Sequence, residues 1–501
     1  MFPASSRTAA ALVVFIAALT LSARAQFTLV KISTDTFTNL DSVHETEVEP
    51  DSFAWGDTIV TTFHVARRPG SIGWGSADVG FSTSTDGGKT WTSGYLPGLT
   101  VNYEDGAYGA AADPSVAYDA KHGVWMISTL PLVGLNGNSQ YIGDVAVSLS
   151  KDGLTWGNPI PIDTTHLDDK NWTVCDNTPT SPYYGHCYTE WDQVYGSGDV
   201  LMSVSTDGGQ TWGPGKASAD HANGLGGEPL VQPNGTVIVP FEGFAIEAFR
   251  STNGGNSWGS SVTISDIDEH GDAGGIRNPN LPSAGIDGSG KVYVVWSDCR
   301  FRSGCNSNDI VMSTSTDGLT WSPVSRIPLD PVTSTVDHFL PGIGVDPATS
   351  GATAHLTVLY YDYPVSNCKN SCQLYVGFAS SLNGGATWAR GQSLAGPMQL
   401  TWLPLSDNGY MVADYISVSY NSQGLPYGVF AAAVAPSGGL LHEDMYTTRQ
   451  PLVVPNTVPR LGSQDDKPVP GAHSDYDRKA YYDDGHHFPI PESRRPKATG
   501  N

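Results

Sequence analysis

The chain has 501 residues, with 50 Asp and Glu against 26 Lys and Arg, a formal net charge of −24 and a pI near 4.7. Such an excess of negative charge repels phosphate backbones and anionic lipid surfaces, which argues against nucleic acid as a partner. With 57 Gly, 34 Pro, 13 Trp and only 15% charged residues, the composition is that of a turn-rich, all-β protein.

Met1 to Arg7 carries a positive charge, Ala9 to Leu21 is an apolar run, and Ala23-Arg24-Ala25 places small residues where a signal peptidase reads them. Residues 1–25 are therefore expected to be a signal peptide cleaved near Ala25, giving a secreted or periplasmic protein. No later stretch is long and apolar enough for a membrane span. All six cysteines follow in three close pairs, Cys175 with Cys187, Cys299 with Cys305 and Cys368 with Cys372, a spacing that suits local disulfides in an oxidising compartment. A zinc site is the rival reading, but none of the pairs has C-x2-C spacing.

One motif recurs six times. Its full form is Ser84-Thr85-Asp86-Gly87-Gly88-Lys89-Thr90-Trp91, repeated from Ser205 to Trp212 and, with Asn for Asp, from Ser251 to Trp258 and from Ser381 to Trp388. Two copies are one residue shorter, Ser150 to Trp156 and Ser315 to Trp321. The Asp or Asn oxygen can accept from turn N–H groups, Gly supplies positive φ, and the indole offers an apolar ring to bury. The motif aspartates are thus expected to be structural. Alternating runs such as Asp144-Val145-Ala146-Val147-Ser148 precede the motifs and read as half-buried antiparallel strands.

In this motif the sequence resembles the Asp-box (BNR) repeat proteins of the sialidase-like superfamily, over most of residues 45 to 400. The resemblance implies a single β-propeller of four-stranded antiparallel blades, each box joining the third and fourth strands. Successive motif tryptophans lie 65, 56, 46, 63 and 67 residues apart, and residues 26–454 have room for about seven such units. Seven innermost-strand starts agree: Glu49-Pro50, Asp113-Pro114, Asp169-Lys170, Glu228-Pro229, Leu281-Pro282, Leu340-Pro341 and Asp414-Tyr415. Seven blades are favoured, with six, the sialidase count, as the alternative. The last unit lacks a fourth strand, which Phe27 to Lys31 could supply, closing the ring. Residues 455–501 read as a flexible tail rich in Pro, Gly, Asp and Lys, in which His486 and His487 are read as incidental rather than as a metal-binding segment.

The resemblance also implies that ligands bind at the top face, where the innermost strands begin. Asp113, Asp169, Glu228 and Asp414 are the expected catalytic carboxyls, since a crowded ring of acids raises pKa values and can keep one of them protonated as a general acid. Tyr415 is the expected nucleophile. Sialidases grip a substrate carboxylate with arginines, and Arg67, Arg277 and Arg300, the last beside Asp298, are the candidates here. The one Arg-Ile-Pro, Arg326-Ile327-Pro328, follows the fifth box and is expected on an outer strand. The leading expectation is a protein acting on or binding glycans, of the exo-sialidase type of glycoside hydrolase and needing no cofactor. The alternative is a noncatalytic extracellular binding scaffold, in which converging oxygens could hold Ca²⁺.

Overall fold

The computed structural model describes residues 27–69, 74–134, 141–193, 196–454, 458–462 and 466–469. The leader read in residues 1–25 and the histidines at 486 and 487 lie outside them. The protein is all-β: antiparallel strands joined by tight turns, with a few single turns of 3-10 helix. No helix among the described residues is long and apolar enough to cross a membrane.

Strands come in groups of four. Glu47–Trp55, Thr58–Arg67, Ser76–Ser84 and Thr92–Tyr95 pair in chain order to make the first group. The second begins at Ala110–Asp119, and the third at Ile160–Cys175, whose early residues pair backward with the second group and whose later residues pair forward with Cys187–Asp192. Hydrogen bonding therefore runs unbroken through these three groups. The next three begin at Leu230–Val231, Ser283–Ile286 and Asp337–Val345, each leading a separate four-stranded sheet. In the last sheet Ser417–Tyr420, Pro426–Ala433 and Glu443–Thr448 are joined by the N-terminal Leu29–Lys31, with Leu29 opposite Thr448 and Lys31 opposite Tyr446.

The first strands pack side by side in chain order, and Ser417–Tyr420 packs against Glu47–Trp55. Polar clasps tie these strands together. Asp51 Oδ2 accepts from Val116 N–H at 2.8 Å, Ser115 Oγ from Thr173 N–H at 2.9 Å, Glu228 Oε2 from Ala284 N–H at 2.7 Å, Ser283 Oγ from Ile343 N–H at 3.2 Å, and Ser417 Oγ from Ser52 N–H at 3.0 Å. Each bond satisfies a strand-start donor that would otherwise be buried unpaired. Apolar clusters such as Tyr293, Val295, Ile310, Leu356, Val358 and Trp388 fill the space between neighbouring sheets.

The six repeated motifs share one turn. In the first, Asp86 Oδ1 accepts from Lys89 and Thr90 N–H at 3.0 and 2.9 Å, Asp86 Oδ2 from Thr90 Oγ1–H at 2.6 Å, and Ser84 Oγ from Gly88 N–H at 2.8 Å. Where Asn383 replaces Asp, its Oδ1 still accepts from Thr387 N–H at 2.9 Å and its amide now donates to Thr387 Oγ1 at 2.9 Å. Trp91, Trp212 and Trp388 each donate from Nε1 to the carbonyl of the motif's second glycine, whereas Trp258 and, in the shorter copies, Trp156 and Trp321 have no partner for that group.

All three expected disulfides are formed. Cys175 and Cys187 face each other across the first two strands of the third group. Part of the segment read as a tail has partners of its own: Arg460–Gly462 pairs with Thr387–Ala389, Asp466 meets Arg326 at 2.9 Å, and Val469 N–H donates to Arg300 O at 2.8 Å.

Candidate functional site

The strand starts share a backbone irregularity. Pairing slips between Val48 and Asp51, between Ala112 and Ser115 and between Phe339 and Gly342, and Glu49, Asp113 and Leu340 in these bulges have φ of 54°, 44° and 48°. In the third group the slip falls opposite Lys170, with φ of 39°. Non-glycine residues adopt this region only when their surroundings enforce it, and a bulge re-aims the side chain it carries. Because Leu340 shows the same geometry, the bulge belongs to the repeated strand start, and the chemistry comes from what sits on it.

On three neighbouring bulges sit Glu49, Asp113 and Lys170. The Lys170 ammonium lies 2.9 Å from Asp113 Oδ1, 2.6 Å from Asp414 Oδ2 and 3.8 Å from Glu49 Oε1, and all four side chains are buried. Arg277 reaches Asp414 from the other side, Nε to Oδ1 at 2.6 Å with a second contact from Nη2 to Oδ2. Residues 49, 113, 170, 277 and 414 thus meet in one place. Burial alone would raise the Asp414 carboxyl, but Arg277 and Lys170 together hold it well below the ordinary carboxylate range. Burial would also raise Asp113, but Lys170, His64 and its side-chain hydrogen bonds together lower it. Lys170 rises well above its usual value, because its three carboxylate neighbours overcome the burial that would lower it.

These groups line a cavity with His64, Arg67, Trp74, Asp169, Asp407 and Met411. Burial first, and then repulsion from Asp113, push Asp169 up to about 7, so it holds a proton near neutrality. Arg67 is buried and donates to the Gly75 carbonyl at 2.5 Å and to the Arg68 carbonyl at 3.3 Å, with Nε against Met411 Sδ at 3.3 Å. No carboxylate of the described residues lies within ion-pair distance of it. The half-buried Trp74 donates from Nε1 to Asp407 Oδ2 at 2.9 Å. The mouth is therefore not the uniformly acidic ring that the strand starts suggest: Lys170, Arg67 and Arg277 balance its acids.

Two groups of ligand-type residues are close enough to hold a metal ion, Glu49 with His64 and Asp113, and Asp309 with Asp330 and His338. Each already faces basic side chains. His64 Nε2 lies 2.9 Å from the Asp113 N–H and 2.8 Å from Glu49 Oε2, so it already faces two protein partners, while Lys170 supplies positive charge to the carboxylates. In the second group Arg302 and Arg326 lie 2.8 and 2.6 Å from Asp330 Oδ1, and Arg326 Nε lies 2.7 Å from Asp309 Oδ1. Arg326 is on the outer strand Ser325–Arg326, away from the mouth, as its place after the fifth box implies.

The other expected site residues are placed differently. Tyr415 is buried in a second cavity shared with Lys170, Trp172, Glu190 and Glu228; its hydroxyl is 3.4 Å from Pro114 O and its ring packs edge-on against Trp172. Burial and then Glu49 push this phenol well up, away from the ionised nucleophile. Glu228 is a clasp to the next sheet, and burial raises it well above the carboxylate range. Arg300 lies in a local pair with Asp298, Nε to Oδ1 at 2.8 Å and Nη2 to Oδ2 at 2.6 Å, and neither residue lines either cavity. Sequence reading passed over His64, Lys170, Trp74 and Asp407. The one available signal was Lys170, a cation at a strand start otherwise rich in acids.

No protein-family model matches the chain. A sialidase of Bacteroides fragilis is 30% identical over 164 residues, covering 27% of this chain and 28% of that protein. The chain thus spans less than a third of that relative's length. Among solved structures, the intramolecular trans-sialidase of Ruminococcus gnavus in complex with oseltamivir carboxylate superposes with a TM-score of 0.41 at 14% identity, over 85% of this chain and 99% of that one. A PL25 ulvan lyase gives 0.47 at 11% identity, over 82% and 96%. A protein of unknown function from Dyadobacter fermentans gives 0.45 at 14% identity, over 72% and 99%.

Proposed function

We propose that the chain is an exported, seven-bladed Asp-box propeller whose blades are the seven strand groups, closed by the N-terminal strand, and that it hydrolyses a carboxylate-bearing glycoside at the mouth around Lys170. The observation that carries this reading is one cavity lined by Arg67, Arg277, Lys170 and a carboxyl, Asp169, that keeps its proton near neutrality. Guanidinium groups suit a sugar carboxylate because they offer paired donors in a fixed plane. Asp169 then donates its proton to the glycosidic oxygen as that bond breaks, and the ionised Asp113 and Asp414 stabilise the positive charge that develops on the sugar ring. A water molecule adds to the anomeric carbon and returns a proton to the Asp169 carboxylate. The sequence relative named a sialidase supports the same substrate class.

A screen of sialosides, uronides and neutral glycosides tests this reading, run on the wild type, Asp169→Asn, Arg277→Ala and Arg300→Ala. Turnover confined to acidic glycosides is expected, abolished by Asp169→Asn, reduced by Arg277→Ala and unchanged by Arg300→Ala. Absence of turnover on the whole panel, with binding retained, would instead favour the scaffold reading, to which the engagement of Asp113 and Asp414 by Lys170 lends support.

A further inference from the structure

Trp74 and Asp407 meet across the mouth from distant parts of the chain. The Trp74 ring packs against the apolar cluster that includes Ala112, Leu130 and Leu132, and its Nε1 reaches Asp407 Oδ2 at 2.9 Å. Asp407 sits in the turn of a short hairpin, Leu405–Ser406 paired with Gly409–Tyr410, between the sixth and seventh strand groups. Backbone contacts fix this hairpin to the segment that carries Arg277: Arg277 N–H donates to Tyr410 O at 2.8 Å, and a Cβ at Gly409, where φ is 124°, would collide with the Gly275 carbonyl oxygen. Glycine is therefore required there, both for the backbone angle and for the close approach. The Asp407 carboxylate is held beside Arg277 as a result, Oδ1 to Nη1 at 3.8 Å, with only 17% of the Asp407 side chain exposed.

This is the place a ligand carboxylate would take. Asp414 engages Nε and Nη2 of Arg277, so Nη1 is the guanidinium nitrogen that Asp414 leaves over, and Asp407 is the carboxylate beside it. Arg67 lines the same cavity and senses the same group: burial and then Arg277 lower its guanidinium, while Glu49, Asp407 and Asp414 act the other way. Asp407 is thus a carboxylate that the chain itself presents to both arginines assigned to the sugar acid. The attachment is a loose one. At 3.8 Å the approach to Nη1 is an ion pair without a hydrogen bond, whereas Asp414 holds Arg277 at 2.6 Å. The turn itself is tied by Ser406, whose Oγ donates to Gly409 O at 2.8 Å and accepts from Asn408 N–H at 3.2 Å, so the Asp407 side chain can rotate without unmaking the hairpin.

We propose that Asp407 is a resident stand-in for the ligand's carboxylate: it occupies the arginine side of the mouth while the site is empty and is displaced, with the Trp74 bond broken, when an acidic sugar binds. The inference rests on the acidic-glycoside reading of the mouth and adds a specificity-determining residue to it. An anionic sugar returns to Arg277 the charge that Asp407 gives up; a neutral sugar does not, and the exchange is then a net loss. Trp74, released from Asp407, has an indole N–H to offer the sugar hydroxyls.

The test titrates free sialic acid by calorimetry into the full exported chain, as wild type, Asp407→Asn and Asp407→Ala. Each variant is expected to bind about tenfold tighter than the wild type, as follows from a resident group that is in place about nine-tenths of the time and must leave first. If Asp407 instead serves to hold Arg277 in position, both variants bind more weakly. That result, like unchanged affinity, overturns the proposal while leaving the acidic-sugar reading intact. Sialic acid bound by none of the three chains removes that reading and the inference with it. A second readout needs no Asp407 variant: the tryptophan fluorescence of the wild type is expected to change as the acid saturates it, and that change to be lost in Trp74→Phe. A change of the same size in Trp74→Phe would show the Trp74 bond undisturbed and contradicts the displacement.

Discussion

Lys170 decides the chemistry of the mouth. It is the one ammonium among Asp113, Asp414 and Glu49, and replacing it with Met would leave those carboxyls buried without their partner. Breaking a buried ion-pair cluster on one side costs about 3–5 kcal/mol, so Lys170→Met is expected to lower the denaturation midpoint sharply, while Lys170→Met combined with Asp113→Asn should recover part of the loss. Equal midpoints for the single and double variants would show that the pair is not coupled. Asp169 makes a second prediction at this scale. As a general acid held at about 7, it must be protonated to act, so kcat is expected to fall as pH rises above 7 and Asp169→Asn to remove that alkaline limb along with turnover. An alkaline limb that persisted in residual Asp169→Asn activity would assign it to another group.

At the scale of single elements, the repeated turn was legible because its chemistry is local. One Asp or Asn gathers one or two backbone N–H groups within four residues of itself, and no distant contact is needed to explain it. Asp86→Asn should therefore leave stability nearly unchanged, as the natural Asn253 and Asn383 copies imply, whereas Asp86→Ala removes several acceptor bonds and is expected to cost about 1–2 kcal/mol, read as a shift in the urea midpoint. The strand starts were legible only in part. Glu49, Asp113 and Leu340 precede prolines that mark the bulge, but Lys170 precedes Asn171, and without that marker the pattern puts Asp169 in register with Glu49 when the bulge residue is one position later. A slip of one residue exchanges an acid for a base at the centre of the site. Glu228 shows the other limit, since a carboxylate beside Pro reads the same in sequence whether it faces a ligand or bonds Ala284 of the next sheet.

At the scale of the molecule, buried carboxyls outnumber the cations that face them among the described residues. Burial pushes Asp51 up to about 7, Asp78 to about 8 and Asp168 to about 9. Each binds a proton in the folded chain that the unfolded chain releases near pH 4, so their contribution is complete at lower pH and is lost as pH rises from there through 7 to 9, by about 1.4 kcal/mol per pH unit for each proton. Asp414 works oppositely, its contribution being lost only as pH falls below the usual carboxylate range. Melting temperature is thus expected to be highest in mildly acidic buffer and to fall toward pH 9; a flat profile from pH 5 to 9 would contradict these environments. The pairing of Leu29–Lys31 with Tyr446–Thr448 was legible because the last unit lacked an outer strand, whereas the partners of Arg460–Gly462 were not, since three residues of mixed polarity carry no periodic signal.

In the proposed function, side chains from five distant parts of the sequence form one receptor for an acidic sugar. A crystal structure of the protein soaked with sialic acid is the most direct measurement. The predicted result is a single bound sugar at the Lys170 mouth, with its carboxylate against Arg67 and Arg277 and its glycosidic position within hydrogen-bond reach of Asp169. A sugar bound on another face, or a mouth left empty at saturating ligand, would contradict it.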